Sequence, residues 1–162
     1  MKSESPEKFN KIKPRQKLPF PEFNVLKKHQ LIIQIILASL SVLGYFTISP
    51  IMIISMTLLA IFYFFLCFTE RKGSLKINKT VLTVLLYASN WGKSILVIGI
   101  LYILNEWPMA SMQASIGIMF VLVSGLVMFY FLLKGIQDEI VSLTDFFSNI
   151  VLLVIAVFIY IE

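Results

Sequence analysis

The chain has 162 residues, 58% of them hydrophobic and 14% charged, with a mean hydropathy of +0.87. A water-soluble domain carries about 25% charged residues to cover its surface, so this composition excludes an ordinary soluble globule and points to lipid as the natural solvent. The net charge of +5 is no nucleic-acid signature, because the basic residues sit in short stretches between apolar runs instead of clustering on a folded domain.

Residues 1–30 form a tail. Eight of the basic residues (Lys2, Lys8, Lys11, Lys13, Arg15, Lys17, Lys27 and Lys28) precede the first apolar run, interleaved with Pro6, Pro14, Pro19 and Pro21. The prolines prevent a long helix and the composition cannot build a core. Phe20, Phe23 and Leu26 suit the headgroup layer beside them, where each basic residue adds ~1 kcal/mol of attraction to anionic lipid. The charged stretch and the apolar run behind it are both too long for a cleaved signal peptide, whose apolar core is about 7–15 residues.

No charged residue occurs from Leu31 to Thr69. At ~1.5 Å per residue a single helix of that length overshoots a ~30 Å hydrocarbon core. Thr47-Ile48-Ser49-Pro50 marks the turn, with Pro50 suited to a first helical position. The spacing predicts helices over 31–48 and 51–69. A basic loop follows, with Arg71, Lys72, Gly73, Lys76 and Lys79.

The third helix is expected at 81–104, with Lys93 near its middle. Either it is one long tilted helix in which Lys93 snorkels or finds a partner, or the span starts at Trp91 and Ile77–Ser89 lies along the surface. Asn105-Glu106-Trp107-Pro108 is the next turn, and a fourth helix is expected at 109–133, closed by Lys134 and Gly135. A fifth apolar stretch, 140–161, contains Asp145 and either spans or lies in the interface. The fold class expected is an all-α integral membrane protein with a polytopic domain over 31–162 of five transmembrane helices, or four if the last stretch does not cross.

The tail, the 70–79 loop and Lys134 hold all the basic residues except Lys93 and alternate with two hairpin turns that carry no basic residue. The positive-inside rule then places the tail in the cytoplasm. Val42-Leu43-Gly44-Tyr45 before Pro50 echoes Val97-Ile98-Gly99-Ile100 before Pro108, which suggests two parallel hairpin repeats plus a C-terminal helix.

The segment Gly99-Ile100-Leu101-Tyr102-Ile103-Leu104-Asn105-Glu106-Trp107-Pro108-Met109-Ala110, with the long apolar helix behind it, resembles the two-helix membrane module of the gliding-motility L subunit of Bacteroidota. That family's turn reads His-Trp-Pro-Gly-Ala. Trp107, Pro108 and Ala110 match, whereas Glu106 replaces the His and Met109 the Gly. The resemblance covers about forty residues and implies a bacterial inner-membrane protein with stacked hairpins. The family's long cytoplasmic region and its membrane-embedded acid on these helices have no counterpart here, so a proton-driven motor role does not carry over.

Strongly polar groups in apolar runs are costly and mark candidate sites. They are Gln34, Asn90, Lys93, Gln113, Asp145 and Asn149. A Lys93–Asp145 pair would neutralise both charges, with Asn149 one turn beyond Asp145 on the same face; the two read as a structural ion pair or two snorkelling side chains or, alternatively, a transport site. Ala110, Ala114, Gly117 and Gly125 make a small-residue face on the fourth helix for close helix approach, within the chain or between copies. The single cysteine, Cys67, excludes an intrachain disulfide. His29, beside Lys27 and Lys28, reads as interfacial. The spacings hold no metal-ligand cluster, phosphate loop or nucleophile elbow, and no cofactor is expected. Asn78-Lys79-Thr80 fits a glycosylation sequon on a loop expected in the cytoplasm, where that chemistry does not occur.

The function expected is a non-enzymatic subunit or accessory scaffold of a bacterial inner-membrane assembly. Its partners would be the lipid bilayer and either another membrane protein or further copies, with no nucleic acid. The alternative is a small oligomeric transporter or channel using Lys93 and Asp145.

Overall fold

A computed structural model describes residues 29–69, 79–135 and 143–161. The tail up to residue 28, the loop 70–78 and residues 136–142 lie outside the described residues, and with them most of the basic residues on which orientation was argued. The described residues form helices without strands: α1 (Gln30–Phe46), α2 (Ser49–Leu66), α3 (Lys79–Leu104), α4 (Ala110–Leu133) and α5 (Leu143–Ile161). Three stretches are long and apolar enough to cross a membrane: Ser49–Leu66, Thr83–Leu104 and Ala110–Leu133. The apolar parts of the other two helices, Gln30–Phe46 and Leu143–Ile159, are shorter.

Helix boundaries differ from the sequence expectation by up to three residues: α2 and α3 each start two residues early, at Ser49 and Lys79, and two helices end early. The first helix ends at Phe46 and the second at Leu66, each two or three residues earlier than hydrophobicity alone suggests. At the first end the backbone turns before the apolar run does: Ile48 N–H donates to the Gly44 carbonyl and Thr47 Oγ1 to that of Leu43, closing α1. Ile48 is extended, and Pro50 sits in the first turn of α2, where its missing N–H costs nothing. The second end tightens into a turn in which Cys67 and Phe68 N–H groups bond back three residues.

α3 is one unbroken helix of 26 residues, roughly 39 Å long at ~1.5 Å per residue. It is also the central one, since 67% of its most apolar stretch is buried within the protein against 22% for α4. α3 and α4 pair antiparallel along their length. A Cβ on Gly99 would lie 2.7 Å from Ala114 Cα, and one on Gly117 would lie 2.5 Å from Leu96 Cα. Gly92 fits against Phe120 and Val121 in the same way. Absent Cβ atoms therefore let the two backbones touch, which is how helices associate where lipid removes the hydrophobic drive between them. Gly44 does the same for the α1–α2 hairpin against Ile51 and Met52.

The α3–α4 turn is strained. Glu106 and Met109 adopt φ 53° and 65° without being glycine, conformations that cost of order 1 kcal/mol or more. Trp107 N–H donates to the Tyr102 carbonyl at 2.9 Å, and the two rings meet edge to face at 5.1 Å. Trp107 and Pro108 thus fix the turn, while Gly135 at φ 67° ends α4 without strain.

The main core is Met56, Leu59, Tyr63 and Leu66 of α2 against Leu96, Val97, Ile100 and Leu101 of α3, with Leu152 and Ala156 of α5. A smaller cluster of Leu85, Leu86 and Met128 joins the far ends of α3 and α4.

Two measurements check this packing by unfolding in mild detergent. Gly117→Ala is expected to lose about 1–3 kcal/mol through overpacking against the Leu96 backbone, whereas Gly125→Ala, whose nearest neighbours lie at 3.8 and 3.9 Å, stays neutral or gains from helix propensity. Met109→Gly is expected to gain about 1 kcal/mol by removing a left-handed non-glycine residue.

Candidate functional site

At one end of the bundle the helices bring their polar side chains into a single layer. α1 contributes Gln30 from its first turn and Gln34 one turn later. α2 contributes Tyr63, α3 contributes Ser89, Asn90 and Lys93, and α5 contributes Asp145, Ser148 and Asn149. Gln30 and Asp145 start their helices, whereas Lys93 lies mid-helix in α3, so the layer is level with two helix N-termini and cuts across a third helix.

Lys93 is 0% exposed and Asp145 2%. Lys93 Nζ stands 3.5 Å from Asp145 Oδ1 and donates to the Asp145 carbonyl oxygen at 3.4 Å. These are long for charge-assisted bonds, which run about 2.7–2.9 Å. The tighter contact on the carboxylate comes from elsewhere: Gln30 Nε2 donates to the same Oδ1 at 2.9 Å. Lys93 Nζ also lies 5.6 Å from the centre of the Tyr63 ring, within cation–π range. One carboxylate therefore ties α5 to α3 by charge and to α1 by an amide. Its place in the first turn of α5 adds the favourable field of the helix N-terminus.

Asn149, one turn beyond Asp145, is fully buried. Its Oδ1 accepts from Ser89 Oγ at 3.3 Å and its Nδ2 faces Met128 Sδ at 3.7 Å. Ser148 Oγ lies 3.3 Å from the Tyr63 hydroxyl. Ser94 Oγ donates to the Ala60 carbonyl, binding α3 to α2 at the edge of the layer. Among the described residues, Gln34 Nε2 and both amide atoms of Asn90 are buried without a hydrogen-bond partner.

The structure thus gathers Lys93, Asp145, Asn149, Asn90 and Gln34, while Gln113 stays apart, half-buried near the start of α4. Of the small-residue face on α4, Ala114 and Gly117 lie against α3 and Gly125 lies beside Asn149 of α5; Ala110 is half-buried at the helix start. Pro50, Trp107 and Pro108 are in the two turns at the other end of the bundle, away from this layer. Gln30, Tyr63, Ser89 and Ser148 belong to the layer although sequence reading did not single them out. For Gln30 a signal existed: it lies four residues before Gln34, on one helical face. Cys67 is buried with its thiol 3.8 Å from the Tyr63 carbonyl.

No group of three His, Cys, Asp or Glu side chains that could hold a metal ion occurs among the described residues. The chemistry available in the layer is charge neutralisation and hydrogen bonding among helices. No family model, curated protein or solved structure matches the chain.

Removing one member of an enclosed pair strands the other charge at about 3–5 kcal/mol. Asp145→Ala and Lys93→Ala are each expected to lose that much in detergent unfolding, and Lys93→Met with Asp145→Leu to recover most of it. A double-mutant cycle with near-zero coupling would contradict the pairing.

Proposed function

We propose that the chain is a multi-pass inner-membrane protein of bacterial type, with five spans and the N-terminal tail in the cytoplasm, that acts without catalysis as a subunit or accessory scaffold of a membrane assembly. The observation that carries this reading is the enclosed Lys93–Asp145–Gln30 cluster. Its polar groups point at one another across α1, α3 and α5, so their chemistry goes into holding helices together.

Two further features support it. The outward face of α4 presents Met112, Met119, Leu126 and Leu133, each more than half exposed, an apolar surface suited to lipid or to a neighbouring membrane helix. α1 and α5 fall short of the longer spans, yet each joins the bundle through a buried polar contact, and a short span is accommodated by bilayer thinning or oligomerisation at modest cost. The cytoplasmic tail follows from the distribution of Lys and Arg, and the bacterial assignment from the resemblance around Trp107.

Single cysteines placed in the tail and at the C-terminus of a Cys67→Ala background test the topology: impermeant reagents are expected to reach them from opposite faces, and labelling of both from one face contradicts five spans. Mass spectrometry of the tagged protein purified from native membranes in mild detergent tests the role. A stoichiometric membrane-protein partner is the expected result. Recovery of nothing but its own copies, together with a flux that Lys93→Ala and Asp145→Ala abolish, would replace the scaffold with an oligomeric transporter or channel.

A further inference from the structure

Of the 17 residues of α1, Gln30, Gln34 and Gly44 are buried. Leu31, Ile32, Ile35 and Ile36 are each more than half exposed, and Ile33 and Leu37 pack against the core only in part. The helix is carried along α2. It is joined there by the two-residue Thr47-Ile48 link, by the close approach of Gly44 to Met52, and by Ser41 Oγ at 2.9 Å from Ser55 Oγ. All three ties lie toward its C-terminal end. α1 and α5, by contrast, do not pack along their length. Beyond the polar layer both line a cavity of about 700 Å³, with Val42 and Val154, each more than half exposed, at its mouth. The contact that crosses from α1 to α5 is in the first turn, where Gln30 Nε2 donates to Asp145 Oδ1.

Lipid supplies no hydrophobic drive to press α1 against a neighbour, so an interhelical hydrogen bond decides where its free end sits. The next amide along the helix opposes a rigid closure. Gln34, one turn on from Gln30, is buried, and its Nε2 has no partner among the described residues. A satisfied amide favours the closed position, and an unsatisfied buried one disfavours it by a comparable factor. The two glutamines therefore bring closed and open positions of α1 near balance. A helical side chain leans toward the N-terminus of its helix, which here is the end joined to the basic tail. When the start of α1 swings outward, Gln34 has a short way out of burial.

We propose that α1 is a hinged lid over the Lys93–Asp145 pair, pivoting on α2 near Gly44 and latched at its free end by the Gln30–Asp145 hydrogen bond. Opening breaks one bond and leaves the rest of the bundle in place, because the main core joins α2, α3 and α5, and α4 is held by its close approach to α3. The charges stay neutralised in both positions, since the ion pair runs between α3 and α5 and not through α1. Closed, the lid keeps the pair a purely structural clasp. Open, it gives the same two charges access to the membrane interface.

The lid rests on the membrane placement proposed above and is tested separately from topology and partners. Spin labels go on the full Cys67→Ala chain in phosphatidylethanolamine–phosphatidylglycerol nanodiscs, and distances are read by electron paramagnetic resonance. Leu31→Cys with Phe147→Cys reports the latch end and Leu43→Cys with Ile54→Cys the pivot; all four side chains are more than half exposed. The latch pair is expected to show a major short distance and a minor long one. Gln30→Leu is expected to raise the long population roughly tenfold, the range of one interhelical hydrogen bond, while the pivot distance stays fixed. Gln34→Leu, which removes the unpartnered amide, is expected to deplete the long population, and Gln113→Leu, away from the latch, to change neither pair. Identical latch distances in the wild type and Gln30→Leu overturn the proposal. So does a Gln34→Leu chain that opens as Gln30→Leu does, or a pivot distance that lengthens together with the latch distance, which would mean that the hairpin parts and nothing is hinged. None of these failures alters the two-face labelling or the partner recovery on which the scaffold reading stands.

Discussion

An ammonium and a carboxylate enclosed among apolar helices constrain the arrangement of everything around them. Lys93 and Asp145 are both closed off from the surface, and each is tolerable there because the other is present. α3 and α5 are separated in sequence by all of α4, yet they must lie side by side at one defined height. Gln30 then fixes the start of α1 to the same carboxylate. In lipid the apolar surfaces of helices are nearly interchangeable as packing partners, so hydrophobicity alone leaves many arrangements of five helices close in energy. The shared carboxylate removes that degeneracy at one level of the bundle.

Backbone contact does the corresponding work along the bundle axis. Gly92, Gly99 and Gly117 set the register of α3 against α4 to within a residue, because a shift would bring a Cβ onto a neighbouring backbone. α3 is central, with Lys93 inside the bundle: its glycine-bearing side is occupied by α4, and the lysine is turned toward Tyr63 of α2 and Asp145 of α5. The two devices are complementary. Small residues specify the pair that is adjacent in sequence, and charge specifies the neighbours that are not.

Much of this was legible in the residues themselves. An uncharged run from Leu31 to Thr69 with one proline leaves little choice but a hairpin, and Trp107-Pro108 marks the second turn as plainly. Helix ends were less legible because hydropathy does not register where carbonyls are capped: Ile48 and Phe68 are as apolar as the helices they follow. Lys93 and Asp145 stood out as the charges in otherwise apolar segments, and Asn149 by its spacing from Asp145. Tyr63 and Ser148 gave no such signal, since tyrosine and serine are common in apolar helices and become part of a site only when another helix faces them. Gln30 was obscured by its place beside the basic tail, where a polar residue needs no partner. The open α1–α5 seam was not legible at all, because a cavity is a property of helices that fail to meet.

That seam follows from the same contacts that hold the bundle. The two hairpins are built differently: in the first, Gly44 closes the helices beside a tight Thr47-Ile48 link, while in the second a longer, strained turn precedes Ala110 and the close approach comes at Gly99 opposite Ala114. α4 lies along α3, whereas α1 and α5 are joined by the Gln30–Asp145 bond and do not pack along their length. A bundle clasped by polar bonds at one end, with no helix to fill the gap at the other, must leave an apolar wedge between α1 and α5. The clasp and the cavity both follow from joining α1 and α5 near their first turns and not along their length.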